Sequence, residues 1–166
     1  MVASCGSSYF TLFLVLILGT GCEMSCVDHF MYYNGDCVLV DPITYGTWSD
    51  MRAYCQSLHS TADLITFPSI AMFEYLVQYL NNNEWPNLVF WVGGTDEGHE
   101  GIWSYVDGTL MPMGAPYWAL NNCDGIIIQP DGNTKQNCAA LDGDSFYYMT
   151  DKECEYQHGH PICYYD

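Results

Sequence analysis

The chain has 166 residues, a formal net charge of −17 and only three basic side chains, Arg52, Lys135 and Lys152. Phosphate contacts rely on Lys and Arg, so this balance argues against nucleic acid and anionic membrane surfaces as partners. Nine cysteines suit an oxidising compartment and would be unusual in a reducing cytosol.

No charged side chain precedes Glu23, and Phe10 to Leu18 is apolar except for Thr11, with Gly19, Thr20 and Gly21 following. This is the layout of a secretory signal, with cleavage expected after Gly21. The apolar run is too short to span a bilayer, which takes about 20 residues. Residues 1–21 are therefore read as a signal peptide and 22–166 as one secreted, extracellular domain with no membrane insertion. Cys5 falls in the signal, leaving eight cysteines.

Between Cys26 and Cys37, Tyr32-Tyr33-Asn34-Gly35-Asp36 carries the Asn-Gly signal of a type I′ hairpin. Thr47 with Asp50 approximates a capping box. Trp48, Met51, Cys55 and Leu58 follow at helical spacing, which predicts a helix over 47–58 with Cys55 facing inward. Asp63 to Phe67 reads as a short extended segment. Pro68-Ser69 opens a second helix with the stripe Ile70, Phe73, Val77 and Leu80, ended by Asn81-Asn82-Asn83.

Leu88 to Val92, closed by Gly93-Gly94, reads as a buried strand, and Ile102 to Tyr105 as another, ended by Asp107-Gly108. From Met111 to Gln136 there are many Pro, Gly and Asn residues and little periodicity, and so long an irregular stretch inside a compact domain is usually functional. Cys138 to Leu141, Phe146 to Met149 and Pro161 to Tyr164 supply the closing strands. The class is α+β.

Within the irregular stretch, Gln129-Pro130-Asp131 lies seven residues before Cys138, and Met149-Thr150-Asp151 lies three before Cys154. If these two cysteines bond, the loops meet and their oxygens converge as a hard cation such as calcium requires. A sugar with adjacent hydroxyls would complete the shell. Trp48, Phe90, Trp91 and Trp103 read as core, as do Tyr117 and Trp118. His158 and His160 lack a third ligand for zinc and read as a surface turn before Pro161. No nucleophile elbow, His-Glu-x-x-His helix or phosphate-cradling loop is present. The chain reads as a binding module, not an enzyme.

These residues resemble the C-type lectin-like domain in its long form. Cys26 and Cys37 match the extra hairpin, and Cys55 the first helix. Trp91-Val92-Gly93-Gly94 is similar to the family's Trp-Ile-Gly-Leu core motif. Glu100-Gly101-Ile102-Trp103, Asp107-Gly108-Thr109, Gln129-Pro130-Asp131, Cys138, Asp151, Cys154 and Cys163 follow in order. Met113 to Trp118 further resembles secreted lectins of arthropods, particularly crustaceans. The resemblance implies two helices packed on small antiparallel sheets, a long irregular ligand loop and disulfide bracing. Six cysteines allow 15 pairings; the family pairing is Cys26–Cys37, Cys55–Cys163 and Cys138–Cys154. Cys22 and Cys123 are left to pair with each other, to bridge chains or to stay free.

The resemblance also implies one calcium ion held by Gln129, Asp131, Gln136, Thr150 and Asp151, with Pro130 cis and the same residues meeting the carbohydrate. Each sugar hydroxyl can then bind the ion, donate to a carboxylate and accept from an amide. Amide before acid, Gln129 before Asp131, is the galactose-type order. No Trp follows Asp131 to stack on the sugar, so broad specificity is expected. Gln136 stands where a carboxylate is usual and Thr150 where Asn is usual. Only Asp131 and Asp151 bring charge, which predicts a weakened calcium site. Asp96 and Glu100 align with an auxiliary calcium site of some relatives, but its other ligands appear here as Gly132 and Asn137, and a solvated acidic turn is expected. The implied role is innate immune recognition and agglutination of microbes through surface polysaccharide, the latter requiring a homo-oligomer. The alternative is a calcium-independent lectin-like domain that binds protein or another non-sugar ligand.

Overall fold

The computed structural model describes residues 2–4, 23–33, 35–83, 85, 87–121 and 127–166. Strands β1 (Val2–Ser4) and β2 (Glu23–Ser25) pair antiparallel. Most of the expected signal segment, its cleavage point, and Cys5, Cys22 and Cys123 lie outside the described residues.

The hairpin forms where the sequence places it. Strands β3 (Met31–Tyr33) and β4 (Asp36–Val40) pair Tyr33 with Asp36 across a two-residue turn. Gly35 takes φ +108° there, a region glycine enters without steric cost. Helix α1 (Trp48–Leu58) begins with a complete capping box: Thr47 Oγ1 accepts from the Asp50 amide at 3.1 Å, and the Asp50 carboxylate accepts from the Thr47 amide at 3.4 Å. Met51 and Cys55 face inward.

Beyond β5 (Asp63–Leu64), helix α2 (Ile70–Asn82) is capped by Ser69. Its buried residues are Met72, Phe73, Leu76 and Leu80. This corrects the predicted stripe: Ile70 in the first turn is 37% exposed and Val77 is half-buried. Both stripes satisfy a 3.6-residue period, and only the packing partner chooses between such neighbouring faces.

The later strands are β6 (Val89–Thr95), β7 (Ser104–Tyr105), β8 (Leu120–Asn121), β9 (Ile127–Ile128), β10 (Cys138–Asp142), β11 (Tyr148–Lys152) and β12 (Gly159–Tyr165). The main sheet runs β11-β10-β6-β12-β4-β3, with β5 added on β12 and β7 on β6. Its pairings are antiparallel except for β6 with β12, which are parallel, so the sheet is mixed. Strand β11 starts two residues later than predicted, because Phe146 (φ 55°) and Tyr147 (φ 60°) form a left-handed turn. The stretch from Met111 to Gln136 is also less irregular than its composition suggests. Its described residues include the β8–β9 pairing and a 3-10 turn at Asn133–Lys135.

Successive side chains of a strand point to opposite faces, and β6 and β10 are buried on both. Phe90, Val92, Ala139 and Leu141 join one core cluster, which includes Phe73 and Leu76 of α2. Val89, Trp91, Cys138 and Ala140 join the other, with Met51 and Cys55 of α1. Double burial explains why Leu88 to Val92 is continuously apolar rather than alternating. Trp91 and Trp118 are fully buried and Trp103 nearly so. Trp48 is a correction: it is half-buried, with its indole N–H on the Val92 carbonyl at 2.8 Å. His160 is another. It lies inside β12 at 7% exposure, with Nδ1 2.8 Å from the Thr44 carbonyl, while His158 is exposed. Burial lowers the His160 pKa below its ordinary value.

The three disulfides are Cys26–Cys37, Cys55–Cys163 and Cys138–Cys154, with Cα separations of 5.6, 5.2 and 5.1 Å. At the start of β12, any Cβ on Gly159 would overlap the indole of Trp91, whose Nε1 donates to the Gly46 carbonyl at 2.9 Å. Gly159→Ala is expected to cost about 1–3 kcal/mol, the usual range for overpacking. Urea unfolding measures it, and unchanged stability would mean that the Trp91 ring moves aside freely.

Candidate functional site

Strands β10 and β11 pair Ala139 with Asp151 and Ala140 with Thr150. The Cys138–Cys154 bridge joins the segments leading into and out of this pair. The loop from Gln129 to Asn137 enters β10 and is thereby held over Asp151. The Gln129–Pro130 peptide bond is cis, as the resemblance implied; Ala115–Pro116 is cis as well.

Three of the five expected site residues are hydrogen-bonded into one ring. Gln129, 8% exposed, donates from Nε2 to Asp131 Oδ1 at 2.9 Å and accepts from the Asp151 amide through Oε1 at 3.3 Å. Asp151, 3% exposed, accepts from the Asp131 amide at 3.1 Å and from the Gly132 amide at 2.6 Å, one bond to each carboxylate oxygen. Burial raises the Asp151 pKa, the Gly132 and Asp131 amides pull it back, and the Asp131 charge adds to the rise. Gln136 stands against Gly132, where a Cβ would overlap its side chain. Thr150 makes none of these bonds; its Oγ1 is buried without a partner.

A cavity of about 220 Å³ adjoins the ring, lined by Asp96, Glu100, Trp103, Pro130, Asp131 and Asp151 among others. Asp96 is a correction to the sequence reading. It is 4% exposed rather than solvated, with Oδ2 accepting from the Gly101 amide at 2.8 Å and Oδ1 buried without a partner. Asn137 Oδ1 is likewise buried and unpartnered. Glu100 remains exposed, as expected. Sequence reasoning also missed the Asp131 and Gly132 amides as partners of Asp151. Neither these bonds nor the burial of Asp96 had a signal in the sequence.

In kind these residues fit calcium, since the donors are all oxygens. Thr150 Oγ1, Asp96 Oδ1 and Asn137 Oδ1 lack partners in the protein, a deficit that a cation or water relieves. In charge and closeness the fit is weak. Among the described residues, no group of three or more His, Cys, Asp and Glu side chains is gathered as a metal site.

Residues 44–165 match the Lectin C-type domain family model, and the chain belongs to that family. It is 33% identical over 87 residues to hepatic lectin of Gallus gallus and 34% identical over 87 residues to human tetranectin, in each case covering 52% of this chain and 38% of the relative. Human C-type lectin domain family 17, member A is 23% identical over 119 residues, covering 72% of this chain and 27% of that protein. The match thus spans well under half the length of these curated relatives.

Among solved structures, C-type lectin CEL-I from Cucumaria echinata superposes with TM-score 0.68 at 18% identity, covering 85% of this chain and 97% of that one. An SPL-1 complex with GlcNAc gives 0.66 at 21%, covering 87% and 97%. A Ca2+-dependent type II antifreeze protein in its Ca2+-free form gives 0.65 at 21%, covering 85% and 100%. The fold is thus shared by a protein solved with GlcNAc and by an antifreeze protein, so the site must decide the function. Among the described residues, no helix is long and apolar enough to cross a membrane.

Proposed function

We propose that the chain is a secreted carbohydrate-binding lectin, released by removal of residues 1–21, whose site is the Gln129–Pro130–Asp131 loop. The ring joining Gln129, Asp131 and Asp151 supports this reading, because it fixes an exposed carboxylate and its neighbours in one orientation. Gln129, Asp131, Gln136, Thr150 and Asp151 would hold calcium, and the ion would supply the positive centre that sugar hydroxyls coordinate. The protein's own part is division of labour. Asp131, on the surface, accepts a hydrogen bond from a sugar hydroxyl; Gln129, mostly buried, braces Asp131 through its amide. With Gly132 and Asn133 following, no aromatic face selects among sugars. The amide–acid order favours galactose, with broad tolerance. Two carboxylates make the calcium site weak, at the extracellular end of the affinity range. The role is recognition and agglutination of microbial polysaccharide in innate immunity by a homo-oligomer.

A second reading rests on Asp151. Both its oxygens already accept N–H donors, so the loop keeps its shape without a cation. A calcium-independent lectin-like domain that binds protein or another non-sugar ligand would need nothing more. Chromatography on galactose-agarose in millimolar calcium separates the two. The lectin reading expects retention, release by EDTA, and at least a roughly tenfold loss of affinity in Asp131→Ala, about 1.4 kcal/mol. Passage without retention in millimolar calcium would favour the second reading, and retention indifferent both to EDTA and to Asp131→Ala would count against the calcium mechanism.

A further inference from the structure

The strand pair β8–β9 leads directly into the Gln129 loop and carries two aliphatic side chains on its outer face. Leu120 and Ile128 stand opposite each other in the register and are 62% and 53% exposed. Directly opposed residues of an antiparallel pair have Cβ atoms about 5 Å apart, so the two side chains form one apolar surface. Their neighbours in sequence face the other way: Ala119 and Gln129, joined by the Gln129 amide on the Ala119 carbonyl at 3.1 Å, are both buried. Aliphatic residues scattered singly over a surface are ordinary, whereas an opposed pair at the entrance to a ligand loop is a place for a contact.

Size and charge narrow what that contact is. A stable protein interface takes about 800 Å² from each partner, far more than one Leu and one Ile offer. Self-association would bring together two chains of net charge −17, and the same charge repels an anionic lipid surface. Position selects among what is left. Ile128 lies three residues before Asp131, whose carboxylate is exposed, and even a fully extended chain holds the two within about 11 Å. Half-buried Pro130 lies between them and lines the same cavity as Asp131.

Resting on the sugar reading above, we propose that the ligand of this site is a neutral galactoside whose aglycone is an alkyl chain, as in a glycolipid. The sugar sits at Asp131, and the chain crosses Pro130 onto Leu120 and Ile128. Alkyl surface leaving water is favourable in proportion to its area. It supplies affinity that a calcium site with two carboxylates and no stacking aromatic residue lacks.

Calorimetric titration of the full chain in millimolar calcium tests this, with methyl β-galactoside and octyl β-galactoside as ligands, the latter below its micelle concentration. The octyl compound is expected to bind about tenfold tighter than the methyl compound. In the double variant Leu120→Thr, Ile128→Thr the difference should fall below about twofold, with methyl β-galactoside binding as before; Thr suits a strand and leaves the ribbon intact. Amide chemical shifts of Leu120 and Ile128 should respond to the octyl compound and not to the methyl one. Asp131→Ala should abolish binding of both. Equal affinities in the wild type, an octyl advantage that survives the double variant, or octyl binding that persists in Asp131→Ala would each overturn the proposal and leave the sugar reading standing. Binding of neither galactoside would overturn the sugar reading and the proposal together.

Discussion

Replacing Cys55 and Cys163 together by Ala is expected to lower the unfolding free energy by roughly 4.8 kcal/mol, the chain-entropy value for a loop of this length. The bridge spans 108 residues and joins α1 to β12, so its loss frees almost the entire described domain in the unfolded state. Both cysteines are fully buried, in the cluster that holds Trp91. Single domains carry about 5–15 kcal/mol in all, which leaves the double variant near the limit of folding. The comparison is the Cys26→Ala, Cys37→Ala pair, whose bridge spans 11 residues and is worth about 2.8 kcal/mol on the same basis. Urea unfolding of both variants measures the difference. Equal losses would show that native packing around the sulfurs, not loop closure, sets the contribution.

Asp151→Ala is expected to open the ligand loop and abolish retention on immobilised galactose. It removes the acceptor for the Asp131 and Gly132 amides, and hydrogen bonds to a charged group are worth about 1.5–3 kcal/mol. Asp151→Asn is the sharper test, because the side chain keeps its shape. One oxygen still accepts, but the new NH2 faces a backbone N–H, setting donor against donor. Amide hydrogen exchange at Asp131 and Gly132 should therefore accelerate in both variants, more in Ala than in Asn. Protection unchanged in Asp151→Ala would mean that the Cys138–Cys154 bridge alone orders the loop. Loss of sugar binding with protection intact would instead assign Asp151 to the ion or the sugar directly.

Much of the fold was legible because the signals are local. Thr47 with Asp50 specified the start of α1, Asn34-Gly35 the hairpin, and the apolar run ahead of Gly93-Gly94 a buried strand. The departures also have physical reasons. Phe146 and Tyr147 look like strand residues, yet their side chains follow a backbone driven left-handed by the turn out of β10. Ile70 fits the apolar period of α2, but the helix turns Met72, Phe73, Leu76 and Leu80 to the core and leaves Ile70 on the exposed side. His160 sits on the same strand as Ile162 and Cys163, and burial on a strand is decided by neighbours rather than by residue type. The site was legible as a set of types and spacings. Its internal bonding was not, since backbone amides carry no sequence signature.

The sequence by itself determined the capped helix, the hairpin turn, the continuously apolar strand from Leu88 and the oxygen-bearing residues placed ahead of Cys138 and Cys154. Each depends on short-range chemistry that one stretch of chain carries alone. Only the tertiary structure decided that Asp151 accepts from the Asp131 and Gly132 amides, that Asp96 is buried with an unpartnered oxygen, and that Asp96 and Asp151 line one cavity. Those facts join residues as far apart as Asp96 and Asp151. They follow from the pairing of β10 with both β6 and β11 and from three cross-links, which bring together segments whose individual sequences say nothing about where the other lies.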